Sequence, residues 1–128
     1  MAGRQRARPR WLTRRMLLAL HGAPLSRRHE ALVQSALAAP RGLFDRQPEA
    51  DLATLAAAYA AGLAQTHGFI DGSKRAAFTA AYVFLGLNGY HLDAAEPEVV
   101  AVIESLAARE ISEAAVADWL RVVITRAA

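Results

Sequence analysis

Two alanine-rich apolar segments separated by one short polar stretch constrain this chain more than anything else in it. They are LATLAAAYAAGLAQ (52–65) and AAFTAAYVFLGL (76–87). In the first, Leu52, Leu55, Ala56, Tyr59 and Leu63 recur at helical spacing, and the intervening alanines allow a neighbouring helix to approach closely. In the second, Phe78, Tyr82 and Leu85 lie on one side of a helix and Ala81, Phe84 and Leu87 on another. A helix that is apolar on most faces belongs in the interior of a bundle. Alanine and leucine also favour helix over strand, and no segment reads as an alternating strand. The expectation is an all-α, six-helix bundle with one polar loop leading into a buried helix.

The remaining helices follow from caps and breakers. Thr13 can cap a short helix to about His21, which Gly22–Pro24 ends. Ser26 can cap a second helix, with Leu32, Val33, Ala36 and Leu37 at helical spacing and Pro40 as its end. Pro40 to Asp51 then reads as a loop, followed by a third helix over about Glu49 to Thr66 and a fourth over Ser73 to Asn88. Asn88-Gly89 supplies the left-handed stop. Pro97 suits the first position of a fifth helix, and Ser112 caps a sixth that runs to about Arg126.

At 128 residues the chain is one domain by size. Its charge is uneven. Arg4, Arg6, Arg8, Arg10, Arg14 and Arg15 hold the first fifteen residues without an acid, leaving nine basic and twelve acidic groups for the rest. Residues 1–10 therefore read as a flexible arginine-rich tail and 11–128 as the domain. A solvated arm is the plain reading of the tail, and contact with nucleic acid or an acidic surface the sharper one. A transit peptide would share this composition. The apolar run Met16–Leu20 is too short for a membrane span or a secretory segment. No cysteine is present, which removes disulfide and thiolate chemistry and fits a cytoplasmic protein.

The polar stretch between the two apolar helices, HGFIDGSKR (67–75), carries the chemistry. A helix N-terminus offers unpaired N–H groups and a positive dipole end, and so attracts anions. Gly72 allows close backbone approach, and Ser73 can cap the helix. Lys74 and Arg75 place positive charge in the first turn, which opposes the dipole unless an anion is bound. Asp71 is an oxygen donor beside that anion site, suited to Mg²⁺. His67 can act as a general base, and Phe69 can anchor the loop in the core. The alternative is an ordinary capping turn with solvated cations. The stretch is not a Walker A loop, whose glycine-to-lysine spacing differs, and no third and fourth zinc ligand accompanies His67 and Asp71.

His-x-Phe-x-Asp-Gly-x-Lys-Arg before an apolar helix resembles the signature of Doc (death-on-curing) proteins in the Fic/Doc superfamily. ALVQSALAAPRGLF (31–44) is similar to the segment ahead of that family's active-site flap, and LAAAYAAGLAQTH and AAYVFLGLNGY flank the motif as in its members. The resemblance extends from about Trp11 to Leu120. It implies a six-helix Fic-type fold and the toxin half of a type II toxin–antitoxin pair, neutralised by a Phd-like antitoxin. It implies a kinase using ATP and Mg²⁺ on the translation factor EF-Tu. By position, His67 would be the general base, Asp71 the Mg²⁺ ligand, and Lys74 and Arg75 the phosphate contacts. Gly72 and Ser73 would form the anion-binding turn, and Phe69 the anchor.

Two alternatives stay open. Adenylylating Fic enzymes carry a second arginine three residues after the first. This chain has Phe78 there, which favours phosphate transfer over AMP transfer. The family has Asn where this chain has Ser73, which leaves room for a fold that binds a partner without catalysis. Further upstream, His29 stands where the family has Asp, and His21 has no assigned role.

Overall fold

The computed structural model describes residues 8–21, 30–65 and 73–127. They form six helices: α1 (Arg14–His21), α2 (Glu30–Arg46), α3 (Leu52–Gln65), α4 (Ser73–Leu87), α5 (Glu96–Ala107) and α6 (Glu113–Val123). Two short strands, β1 (Tyr90–Leu92) and β2 (Ile124–Arg126), pair antiparallel with Tyr90 opposite Arg126 and Leu92 opposite Ile124. The all-α expectation holds. No helix among the described residues is long and apolar enough to cross a membrane.

Helix α3 is the axis of the bundle. Ten of its fourteen residues are buried, and it packs against α2, α4, α5 and α6. Asp51 starts it: its Oδ1 accepts from the Thr54 N–H at 2.9 Å and from the Thr54 hydroxyl at 2.6 Å. The small side chains do what their volume permits. A Cβ on Gly62 would stand 3.1 Å from the Ala36 Cβ and 3.3 Å from its Cα, so the α2–α3 contact requires the missing methyl. Gly86, on the exposed side of α4, has nothing within 4 Å of such a Cβ. Gly86→Ala is therefore expected to raise stability by about 0.5–1 kcal/mol through helix propensity. Gly62→Leu is expected to lower it by about 1–3 kcal/mol through overpacking. Urea midpoints of the two variants check this, and stabilisation by both would show that α2 and α3 are not in close contact.

Pro40 does not end α2. The helix continues to Arg46 with Pro40 buried inside it. An internal proline loses one backbone bond and crowds the carbonyl a turn earlier, at a cost of roughly 3 kcal/mol. Burial of Pro40 and of Phe44 one turn later offsets this, because Phe44 meets the Trp11 ring edge-on at 5.8 Å. The loop expected from Pro40 therefore shrinks to the few residues before Asp51. The proposed Ser26 cap lies outside the described residues.

The C-terminus departs from expectation as well. Helix α6 has the Ser112 cap, whose Oγ accepts from Ala115 N–H at 3.0 Å, but it stops at Val123. Ile124 to Arg126 leave the helix to pair with β1. Four successive β-branched residues, Val122 to Thr125, are crowded in a helix and suited to a strand. Helix α5 starts one residue ahead of Pro97 and ends at Ala107, with Arg109 at φ 62° just beyond it. Gly89, at φ 86°, makes the turn between α4 and β1 as its lack of a side chain allows.

The segment before α1 is held on the bundle. Arg10 N–H donates to Asn88 Oδ1 at 2.8 Å, and Asn88 Nδ2 returns a bond to the Arg10 carbonyl at 2.9 Å. Trp11 then stacks on Phe84 at 6.0 Å. Leu12 is buried, and its N–H reaches the Tyr59 hydroxyl at 3.0 Å. Thr13 caps α1 through its bond from Met16 N–H.

Arg121 of α6 closes onto the start of α3, donating to both Asp51 oxygens and to the Thr54 hydroxyl. The Arg121 hydrogen bond, aided by Thr54 and opposed by partial burial, holds the Asp51 carboxyl well below the usual carboxylate range. Its contribution to stability is complete above the unfolded value of ~3.9 and disappears as pH falls below that toward the depressed folded value. Both side chains are close to half exposed, so solvent screens the pair. Wild type should exceed Asp51→Asn in urea midpoint near neutral pH, and the gap should narrow toward pH ~3. An equal gap at both pH values would remove the ion pair as its cause.

Candidate functional site

The junction between α3 and α4 is where the sequence concentrates its reactive groups. Of these, Ser73, Lys74 and Arg75 belong to the described residues and form the first turn of α4. His67, Phe69, Asp71 and Gly72 lie outside the described residues. Ser73 is the first helical residue, one past the capping position, and is half-buried. Ser73 thus occupies the first helical turn, whose amides point out of the helix, rather than the capping position expected for it.

Lys74 and Arg75 are both exposed, and no acid shares that first turn. The Lys74 ammonium reaches the Glu104 carboxylate of α5 only at 3.9 Å, with both side chains more than half exposed. Such a pair contributes little and competes weakly for the ammonium. Arg75 has no ion pair among the described residues. Two cations beside the first-turn amides of a helix suit a multiply charged anion.

A cavity of about 490 Å³ opens directly beside them between α4, β1 and α5. Phe78, Tyr82, Leu92, Val99 and Ile103 give it apolar walls, and Glu96 and Glu104 stand at its margin. The Phe78 and Tyr82 rings lie 5.6 Å apart. A cleft of this size, apolar inside with cations at one end, fits a ligand with a flat or apolar body and an anionic tail. ATP has that form. The described residues contain no group of three or more His, Asp or Glu able to hold a metal by themselves. Mg²⁺ needs no such cage, since it is commonly held by one or two carboxylates and the substrate phosphates.

A family model described as the Fic/DOC family matches residues 10–85, more than half of the chain. The chain belongs to the Fic/DOC family. The match begins at Arg10 and ends at Leu85 within α4, so it covers α3, the junction and most of α4. Members of this family are typically transferases and generally bind ATP with Mg²⁺. No curated protein matches the chain.

Sequence reasoning missed Asn88 as a positioning residue. The Asn-Gly pair reads as a helix stop, whereas the Asn88 side chain also bonds the Phe84 carbonyl at 2.8 Å and both backbone groups of Arg10. Sequence reasoning also missed the contribution of α5 and β1 to the cavity wall, because no local pattern relates Val99 or Leu92 to Lys74. Asp51 as a cap was readable, from an aspartate three residues before Thr54 at the start of an apolar run.

Proposed function

We propose that this chain is a Doc-like toxin that transfers the γ-phosphoryl group of ATP to a hydroxyl of the translation factor EF-Tu and so arrests protein synthesis. The observation that carries this reading is the pair Lys74–Arg75, exposed at the acid-free start of α4 and opening onto an apolar cavity. Family membership supplies the transferase class.

In this reading the phosphates lie against the first-turn amides of α4, with Lys74 and Arg75 over their oxygens. Gly72 and Ser73 shape the turn, and the adenosine end occupies the cavity lined by Phe78 and Tyr82. His67 accepts the proton of the target hydroxyl. The hydroxyl oxygen bonds to the γ-phosphorus, the bond from that phosphorus to the β–γ bridging oxygen breaks, and ADP leaves with the bond's electron pair. Asp71 would hold Mg²⁺, which would offset phosphate charge. Phe69 anchors the loop, and a Phd-like antitoxin neutralises the protein in a cytoplasmic setting.

Phosphate transfer is preferred to AMP transfer because Phe78 stands where adenylylating relatives carry a second arginine. Its half-buried ring packs on Tyr82 and offers no charge to a nucleotide. The remaining reading is a partner-binding protein without catalysis, favoured by Ser73 in place of asparagine. Induced expression distinguishes them. Growth arrest by the wild-type chain, relieved by His67→Ala, supports the toxin. Arrest seen only after Ser73→Asn would mean that the native protein has the fold without the activity.

A further inference from the structure

The cavity beside Lys74 and Arg75 is charged at two places, and only one of them is the phosphate end. Lys74, in the first turn of α4, stands beside Glu104, in the last turn of α5. Glu96, the first residue of α5, lines the same cavity. It precedes Glu104 by two helical turns and so lies about 12 Å farther along the helix, at ~1.5 Å rise per residue. A nucleotide with its phosphates at Lys74 therefore has its base directed toward Glu96.

Between these ends the wall is apolar. Lys74, Phe78 and Tyr82 follow one another at every fourth residue of α4 and share one face of it. The Phe78 and Tyr82 rings lie 5.6 Å apart, and Val99, Val100 and Ile103 of α5 complete the wall. Tyr82 and Val100 are both exposed, which leaves ring and aliphatic surface for a planar ligand to cover. Glu96 is exposed and has no ion pair among the described residues. An acid at a helix start is favourable for the dipole alone, and Glu98 in the same turn serves that purpose equally. The Glu98 carboxylate, however, accepts a bond from the Trp119 indole N–H at 2.7 Å, whereas Glu96 is the charged group on the cavity wall away from Lys74.

We propose that Glu96 selects the base of the nucleotide: its carboxylate accepts a hydrogen bond from the exocyclic amine of adenine, whose ring lies against Phe78 and Tyr82. The inference rests on the nucleotide reading of the cavity and adds the residue that distinguishes one base from another. An ionised carboxylate only accepts hydrogen bonds. Adenine presents an amine donor where guanine presents a carbonyl oxygen, and that oxygen would face the carboxylate lone pair to lone pair. A pocket of apolar walls with a few placed polar groups takes its specificity from those groups. A site built to bond one donor also rejects the analogue that lacks it.

The test is titration calorimetry of the full chain, in the presence of Mg²⁺, with ATP, GTP and purine riboside 5′-triphosphate, which is ATP without the amine. Wild type should bind ATP roughly 10-fold more tightly than the amine-free analogue, the size of one hydrogen bond to a charged group. Glu96→Ala should weaken ATP by that same factor and leave the analogue unchanged. Glu98→Ala should alter neither, with circular dichroism confirming the fold of both variants. Equal affinity of wild type for ATP and the analogue would overturn the role of Glu96 while leaving the nucleotide reading intact. So would an equal loss of both ligands in Glu96→Ala, or tighter binding of GTP than of ATP. Binding of none of the three would overturn the nucleotide reading and the base selection together.

Discussion

Replacing His67 by alanine is expected to lower phosphate transfer by roughly 10²–10⁴-fold, the range that a positioned general base contributes. A hydroxyl is a poor nucleophile until its proton has somewhere to go, and His67 is the group that the motif offers for it. Asp71→Ala should be at least as severe if, as proposed, that carboxylate would hold Mg²⁺ and so offset phosphate charge. Lys74→Ala and Arg75→Ala should act differently. In the proposed reading their cations would contact the phosphates in the ground state as well as the transition state, so each should raise KM for ATP as well as lower kcat. All four residues precede or begin α4, and the two described ones are exposed, so the variants should keep wild-type circular dichroism. Full activity of His67→Ala would remove the proposed base, whatever the role of the cations.

Phe84→Ala is expected to cost about 3–5 kcal/mol, the range for deleting a fully buried aromatic side chain. Phe84 has no exposed surface and lies against two other rings, Trp11 at 6.0 Å and Tyr59 at 5.0 Å. Domains of this kind have a net stability of only about 5–15 kcal/mol, so the loss approaches the whole of a marginal one. The consequence is not confined to the core. Phe84 lies on the helix that begins with Lys74 and Arg75, and Trp11 stacked on it holds the root of the arginine-rich segment. Urea denaturation should show a much lower midpoint. Phe84→Leu, which keeps most of the volume, should fall between the two. A cost below ~1 kcal/mol for the alanine variant would mean that these three rings are not packed as described.

The parts of the fold that the sequence made legible are those with a local cause. Alanine and leucine at helical spacing give α3 and α4, Thr13 and Ser112 give the starts of α1 and α6, and Gly89 gives the turn after α4. Pro40 misled because its local cost is offset by tertiary burial, which no window of sequence contains. The strand pair was hidden because three residues are too few to show alternation, and because β1 and β2 are joined across the length of α5 and α6. The candidate site divides in the same way. The cationic pair at the start of α4 follows from sequence order alone. The cavity beside it is built from α4, β1 and α5 together, and only the fold brings Val99 and Leu92 to Phe78.

Transfer of the γ-phosphoryl group to EF-Tu is the reaction to be measured. EF-Tu is incubated with the purified chain, Mg²⁺ and ATP labelled at either the γ- or the α-phosphate. The γ-label is expected to become attached to EF-Tu and the α-label is not. Attachment of the α-label would identify AMP transfer instead, and attachment of neither would contradict the proposed reaction on this target.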